Sequence, residues 1–261
     1  MNFDHLLDTR ARTAFLFTWM FLLWLFEQRI PLVPSDRRKI GANLLLTFAL
    51  IATNLSCATL MVFLSQWVTA HRVGAFQWLG APVWLQLAGG VLLLDFWAAY
   101  VIHVLSHKIG WLWRIHRVHH SDPMVDVTTA FRQHPLESLL RISFLLSGMV
   151  FLGLPLWIVA VYQSLSSFNA LLEHANIRVH PGLDRRLRSF LVTPNYHKIH
   201  HSRWQHETDS NYGNIFSLWD RMFSTTSCPA THHDISYGLD TLDEGKRFTF
   251  WELIKLPFKS D

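Results

Sequence analysis

Cysteine is nearly absent: there are two in 261 residues, Cys57 in an apolar run and Cys228 in a polar tail. Two thiols build neither a disulfide scaffold nor an iron–sulfur cluster, and both are expected to be free. Charge is scarce, at 16% of residues against 50% hydrophobic. That much apolar surface excludes a disordered chain, and the composition of a long coiled coil is missing. No dinucleotide-binding glycine pattern, P-loop or nucleic-acid signature occurs. The net charge of +4 is thinly spread, and Arg37, Arg38 and Lys39 flank apolar segments as juxtamembrane charge does, so no nucleic-acid partner is expected. The HExxH of a zinc peptidase is absent, Glu173-His174 lacking its spacing, as are a G-x-S-x-G elbow and a CxxCH haem motif. No cleavable signal peptide is expected, because the first apolar run ends in Glu27-Gln28-Arg29 rather than in small residues.

What is present is apolar length. Four charge-free runs stand out: Thr13 to Phe26, Gly41 to Ala70, Val73 to Leu94 continuing past Asp95 to Ile102, and Ile142 to Leu172. None alternates as a strand does, and lipid admits only helices or closed barrels. The first run spans only if Arg12 and Glu27 snorkel. The last would reach roughly 46 Å as one helix, too long for one crossing. Pro155, beside Gly153, is expected to break it into a hairpin that returns His174 to the side of His134. The expected fold is all-α, a single domain over 1–261. It is a polytopic membrane protein of about four transmembrane or hairpin segments with a cytosolic, histidine-rich helical metal domain. Arg29, Arg37, Arg38 and Lys39 place that side in the cytoplasm by the positive-inside rule.

The unusual residue is histidine, with 16 in all. His103 and His107 are four apart at the end of the third run, so they share a helix face. His116, His119 and His120 form an HxxHH that recurs as His197, His200 and His201, with His134, His174 and His180 between the copies. In the first HxxHH, His116 is expected to pair with His119 and with His120 on one helix side. His103, His107, His116, His119, His120, His174, His197, His200 and His201 exceed what one ion can use, since zinc takes four ligands and octahedral ions six. Two metals sharing eight or nine imidazoles is the economical account. Asp95, Glu173 and Asp209 are candidates to orient imidazoles through their far ring nitrogens. The alternative is a membrane protein that binds or transports metal without oxidase activity. A transport path would place ligands deep in the membrane, whereas these clusters sit at run ends.

The pieces stand in order: His103-x-x-x-His107, Trp113 to Ser121 around the first HxxHH, Thr129 to Pro135 around Arg-x-His-Pro, and His174-Ala175-Asn176. Thr193 to Ser202 follows around the second HxxHH, then Asn211-Tyr212-Gly213-Asn214 and Asp220 to Thr225. This series resembles the fatty acid hydroxylase superfamily, integral-membrane proteins that include sterol desaturases and C-4 methyl sterol oxidases. The resemblance covers about Leu94 to Thr225, roughly half the chain, as a histidine-rich catalytic region. It implies a non-heme di-metal oxygenase with two Fe ions, isolable with Zn, that uses O2 to hydroxylate or desaturate a lipid C–H position. The nine histidines named above are then the candidate ligands; His134 is either a further ligand or, as favoured here, a supporting residue, and His180 and Asn176 are candidates to support them. Ser224 departs from the glycine that many members carry before the final Thr, and little consequence is expected.

The chemistry suits the residues. Breaking an unactivated C–H bond needs an oxidant that side chains do not supply, and a redox metal with an open position does. Electrons are expected from a separate cytochrome b5-like or ferredoxin-like donor. Lys108, Arg114, Arg117 and Lys198 are a candidate docking face, or else ordinary positive-inside charge. Phe96, Trp97, Tyr100, Trp111 and Trp113 either line the lipid's entry or form an interfacial belt. The segment Phe248 to Leu256 either lies on the membrane surface or caps the metal domain.

Overall fold

The computed structural model describes residues 9–33, 40–227, 235–242 and 247–259. Cys228 and the basic group Arg37, Arg38 and Lys39 lie outside the described residues. The elements are helices: α1 (Thr9–Arg29), α2 (Ile40–His71), α3 (Ala75–Trp78), α4 (Val83–Asp95), α5 (Ile102–Lys108), α6 (Gly110–His120), α7 (Pro135–Leu152) and α8 (Leu156–His174). Shorter ones follow: α9 (Pro181–Leu187), α10 (Pro194–His200), α11 (Gln205–Thr208), α12 (Leu218–Met222) and α13 (Phe250–Lys255). Among the described residues β structure is limited to isolated bridges. The fold is all-α, as the apolar runs require.

Three helical segments are long and apolar enough to cross a membrane: Ile40–Trp78, Val83–Lys108 and Pro135–Leu152. Their outward faces carry large exposed apolar side chains, among them Phe48, Leu55, Phe63 and Phe151. In water such a surface would be an aggregation hazard; in lipid it is the solvent-facing side. The protein is a multi-pass membrane protein.

The first run behaves differently from the expectation. Glu27 does not snorkel; it is buried, and its Oε1 accepts from the backbone N–H of Val127 at 2.7 Å and of Asn176 at 2.6 Å. Arg12 donates to Ser164 Oγ on α8 at 2.9 Å. The third run starts at Val83 rather than Val73, because Gly80, with φ 59°, and Pro82 interrupt the chain ahead of it. Pro155 breaks the last run as expected. Gly153 adopts φ 74° and caps α7, its N–H bonding to Met149 O and Val150 O, and Pro155 opens α8.

The α7–α8 turn packs on the turn after α2. Gly74 and Gly153 both have positive φ, and a Cβ at Gly153 would fall 2.5 Å from Val73 O. Gln77 Nε2 donates to Gly153 O at 2.8 Å. The opposite end of the bundle carries the histidines. There Arg132, buried, ties α2 to α6 by donating to Asn43 Oδ1 at 2.8 Å, Val118 O at 3.0 Å and Ser121 Oγ at 2.8 Å. The segment around α13 caps this end: Phe248, Leu253 and Leu256 pack on Leu46 and Val118.

Candidate metal centre

The histidines divide into two groups. His103, His107, His116, His120 and His200 bring one ring nitrogen each within 4.8 Å of one another, and so do His119, His174, His197 and His201. All nine are buried. The two HxxHH motifs cross over. Positions i and i+4 of the first, His116 and His120, join the five-histidine group, while His119 turns to the other. In the second copy His197 and His201 join the four-histidine group and His200 crosses back. The expected pairing of His116 with His119 is therefore replaced by a split. A 100° step per residue places i and i+4 close to one direction and i+3 off to the side.

Local sequence builds each carrier. A π-helical stretch, Phe96–Val101, links α4 to α5 and sets the rotation at which His103 and His107 arrive. Thr193 caps α10, its Oγ1 accepting from Tyr196 N at 3.3 Å and donating to Asp184 Oδ1 at 2.6 Å, with Pro194 in the first turn. His174 closes α8 and donates from Nδ1 to Ala170 O at 2.7 Å.

Far-side hydrogen bonds set the tautomers of four members of the five-histidine group. His103 Nδ1 donates to Tyr212 O at 2.8 Å, His200 Nδ1 to Ser210 O at 2.7 Å and His116 Nδ1 to Glu137 Oε1 at 2.8 Å. His107 Nδ1 lies 3.3 Å from Asp209 Oδ1. Each bond leaves Nε2 as a lone pair aimed inward, and the Nε2 atoms of His103, His107 and His200 have no protein partner. In the other group the Nε2 atoms of His119, His197 and His201 lie 3.1, 3.2 and 3.1 Å from His174 Nε2. His174 has spent its proton on Ala170, so its Nε2 lone pair faces all three.

This arrangement fits metal ions. Nitrogens about 2.0 Å from a tetrahedral ion stand about 3.3 Å apart, close to these spacings and to the 3.3 Å between His116 and His120 Nε2. Burial also depresses His119, His120, His197, His200 and His201 well below the ordinary imidazole value, the charges of neighbouring imidazoles adding to it. They are held neutral, which is the ligating form. Burial would raise the Asp209 carboxyl, but the hydrogen bonds and charges of His107 and Lys108 prevail and draw it down to about 2.

The supporting residues named from sequence fall in several places. Asp209 touches His107, and Lys108 donates to its other oxygen at 2.9 Å. Glu173 stands 3.7 Å from His174 Nδ1 and 3.8 Å from His197 Nε2, beyond hydrogen-bond reach. Asp95 orients no imidazole; it accepts from the N–H of Ile215 and Phe216 and from Trp219 Nε1. Asn176 binds both backbone groups of Val33. His134 and His180 cap α7 and α9 by accepting from Leu136 N and Gly182 N, and the second ring nitrogen of His134 bonds Ile254 O. A capping imidazole pinned at both nitrogens has none left for a ligand. Lys198 and Arg117 are buried, bonding Ala175 O and Leu256 O, so they form no basic docking face.

Glu137 is the residue that sequence reasoning missed. It lies three residues past His134 in the first turn of α7, and an acid there beside an Arg-x-His-Pro element was the available signal. Asp220 is the other: it accepts from Tyr212 N, Gly213 N and Thr225 Oγ1, and so fixes the carbonyl that anchors His103. Ser224, in the same turn, has φ 57°, the left-handed region that favours glycine. The glycine-to-serine departure thus carries backbone strain, contrary to the expectation.

A cavity of about 190 Å³ meets the site, lined at one end by His103, His119, His174, His197 and Glu173 and elsewhere by side chains of α2, α7 and α8. The aromatics expected at an entry are not in its wall. Trp97 stacks on Phe144, Phe96 and Tyr100 on Phe223, and Trp113 lies against His107 with ring centroids 4.9 Å apart.

Comparison with known proteins gives the same direction. The fatty acid hydroxylase family profile matches residues 87–225. An ornithine lipid hydroxylase of Rhizobium tropici is 29% identical over 62% of this chain and 47% of its own length. Human alkylglycerol monooxygenase is 27% identical over 65% of this chain and 36% of its own. Methylsterol monooxygenase 1 of Danio rerio is 30% identical over 58% and 52%. The chain thus spans about half or less of these relatives. No solved structure matches.

Proposed function

Because the chain belongs to the fatty acid hydroxylase family, we propose that it is a non-heme di-iron enzyme that uses O2 to hydroxylate or desaturate a C–H bond of a membrane lipid. The observation that carries this reading is the pair of buried imidazole groups, five and four, meeting one cavity among membrane helices. His103, His107, His116, His120 and His200 hold one ion, and His119, His174, His197 and His201 the other. Bound there, iron supplies the O2 chemistry that side chains lack.

The chain's own part is positional. The far-side bonds to Tyr212 O, Ser210 O, Glu137 and Asp209 hold His103, His200, His116 and His107 so that their lone pairs are already aimed. Burial keeps bulk water and competing protons away from the imidazoles. The cavity wall holds a lipid carbon against the four-histidine end, and that orientation lowers the barrier by holding the reacting C–H bond in place. Reducing equivalents come from an external one-electron carrier of the cytochrome b5 or ferredoxin kind. The metal centre faces the cytoplasm: it lies at the bundle end where α1 finishes and α2 begins, and the sequence joining these two helices is basic.

The test is turnover. Iron-loaded protein in nanodiscs of total membrane lipid is given a chemical reductant and ¹⁸O2, and the lipids are read by mass spectrometry. A lipid that gains one ¹⁸O or loses two hydrogens, in wild type and not in His200→Ala, is the expected result. Unchanged lipids from fully iron-loaded protein would overturn the assignment and favour metal handling without oxidation.

A further inference from the structure

The cavity wall contains polar groups that neither histidine cluster uses. Arg141 lies six residues past Pro135, about 9 Å along α7 at 1.5 Å per residue, and it lines the cavity. A guanidinium this far inside an apolar helix is costly, and such residues face cavities and mark the path of a ligand. Arg141 is held at one nitrogen only. Its Nε donates to Glu137 Oε1 at 2.9 Å, the oxygen that also receives His116. Its terminal nitrogens meet no acceptor among the described residues. Its side chain is 25% exposed, against 1% for Glu137.

A second observation points the same way. Ser138, one turn earlier on the same face of α7, is 3% exposed, and its Oγ has no hydrogen-bond partner. It too lines the cavity, with the amides of Gln133 and Gln163. A buried hydroxyl without a partner is costly, and a bound acceptor or donor would offset that cost. The charge of Arg141 is balanced by Glu137, and the neighbouring serine and glutamines are uncharged. A full anion would leave this wall unbalanced, and a bare hydrocarbon would leave its hydrogen-bonding groups unmet.

We propose that this wall binds the uncharged, oxygen-bearing end of the lipid substrate (a hydroxyl, ether or carbonyl), with the Arg141 fork donating to its oxygens and Ser138 Oγ completing the contact. The inference rests on the reading of the chain as a lipid oxidase and deepens it. The C–H bond that reacts then lies within a few bonds of that oxygen, because the same small cavity reaches His119, His174 and His197. Arg141 and Ser138 set specificity; they hold no metal.

Binding tests this without turnover. Metal-loaded wild-type protein in nanodiscs is titrated with radiolabelled 1,2-hexadecanediol, hexadecane and hexadecyl phosphate. The diol is expected to bind at least tenfold tighter than either of the others. Arg141→Gln and, separately, Ser138→Ala are each expected to weaken the diol about tenfold, leave hexadecane binding unchanged and keep the wild-type metal content. Ser138→Ala removes one hydroxyl and tests the wall if Arg141→Gln fails to fold. Equal binding of diol and hexadecane, tightest binding of the phosphate, or diol binding untouched by Ser138→Ala would each overturn the proposal. Selective diol binding without any lipid oxidation would instead refute the enzymatic reading and leave the site standing.

Discussion

His119 and His120 are neighbours in sequence, yet they face different groups of histidines. Replacing each with alanine should therefore weaken different centres, and to different degrees. The magnitude follows from the ligand count. A closed four-ligand zinc site is worth about 10–16 kcal/mol, so one imidazole in four contributes about 3 kcal/mol, roughly a hundredfold or more in affinity. His119→Ala leaves three imidazoles, an incomplete set. His120→Ala leaves four in its group, still the number that a tetrahedral ion takes. The assay is metal content of detergent-purified protein after dialysis against a graded chelator. His119→Ala should fall from two ions per chain to one at chelator strengths where His120→Ala still holds both. Equal loss from the two variants, or loss from His120→Ala alone, would refute the crossover of the motifs.

Other expectations follow from single contacts. Glu137→Gln removes the charge that His116 and Arg141 share; metal affinity at the five-histidine group should fall about 10–100-fold, measured by competition with a chromophoric chelator. Gly153→Ala forces a Cβ into a φ of 74° and against Val73 O. It should cost at least about 1–2 kcal/mol from the backbone alone, seen as a fall in Tm with the metal ratio unchanged in what remains folded. Ser224→Gly relieves the φ of 57° and should raise stability by up to about 1 kcal/mol; a lower Tm would contradict the strain argument.

The helices and the clustering of histidines were legible in the sequence because both rest on local spacing. Apolar runs report spans, Gly153 and Pro155 mark the hairpin, and HxxHH at helical spacing brings imidazoles to one end of the bundle. The division of the nine histidines was not legible. Spacing says that His116, His119 and His120 are near one another, but not that a second copy would arrive with its middle histidine facing the opposite group. The far-side anchors were hidden for a related reason. Tyr212 O and Ser210 O are backbone atoms, and the anchor of His103 lies more than a hundred residues away in sequence. Charge was ambiguous where burial decides: Lys198 and Arg117 stood as part of a docking face or as ordinary positive-inside charge, and instead they serve carbonyls in the interior.

The central claim is that these nine imidazoles hold two redox-active ions. Elemental analysis of the purified chain, expressed with iron-57 and joined to a Mössbauer spectrum, tests it most directly. The account predicts two irons per chain in a coupled pair. One iron or none in well-folded protein from iron-replete cells, with no other metal in its place, would contradict it.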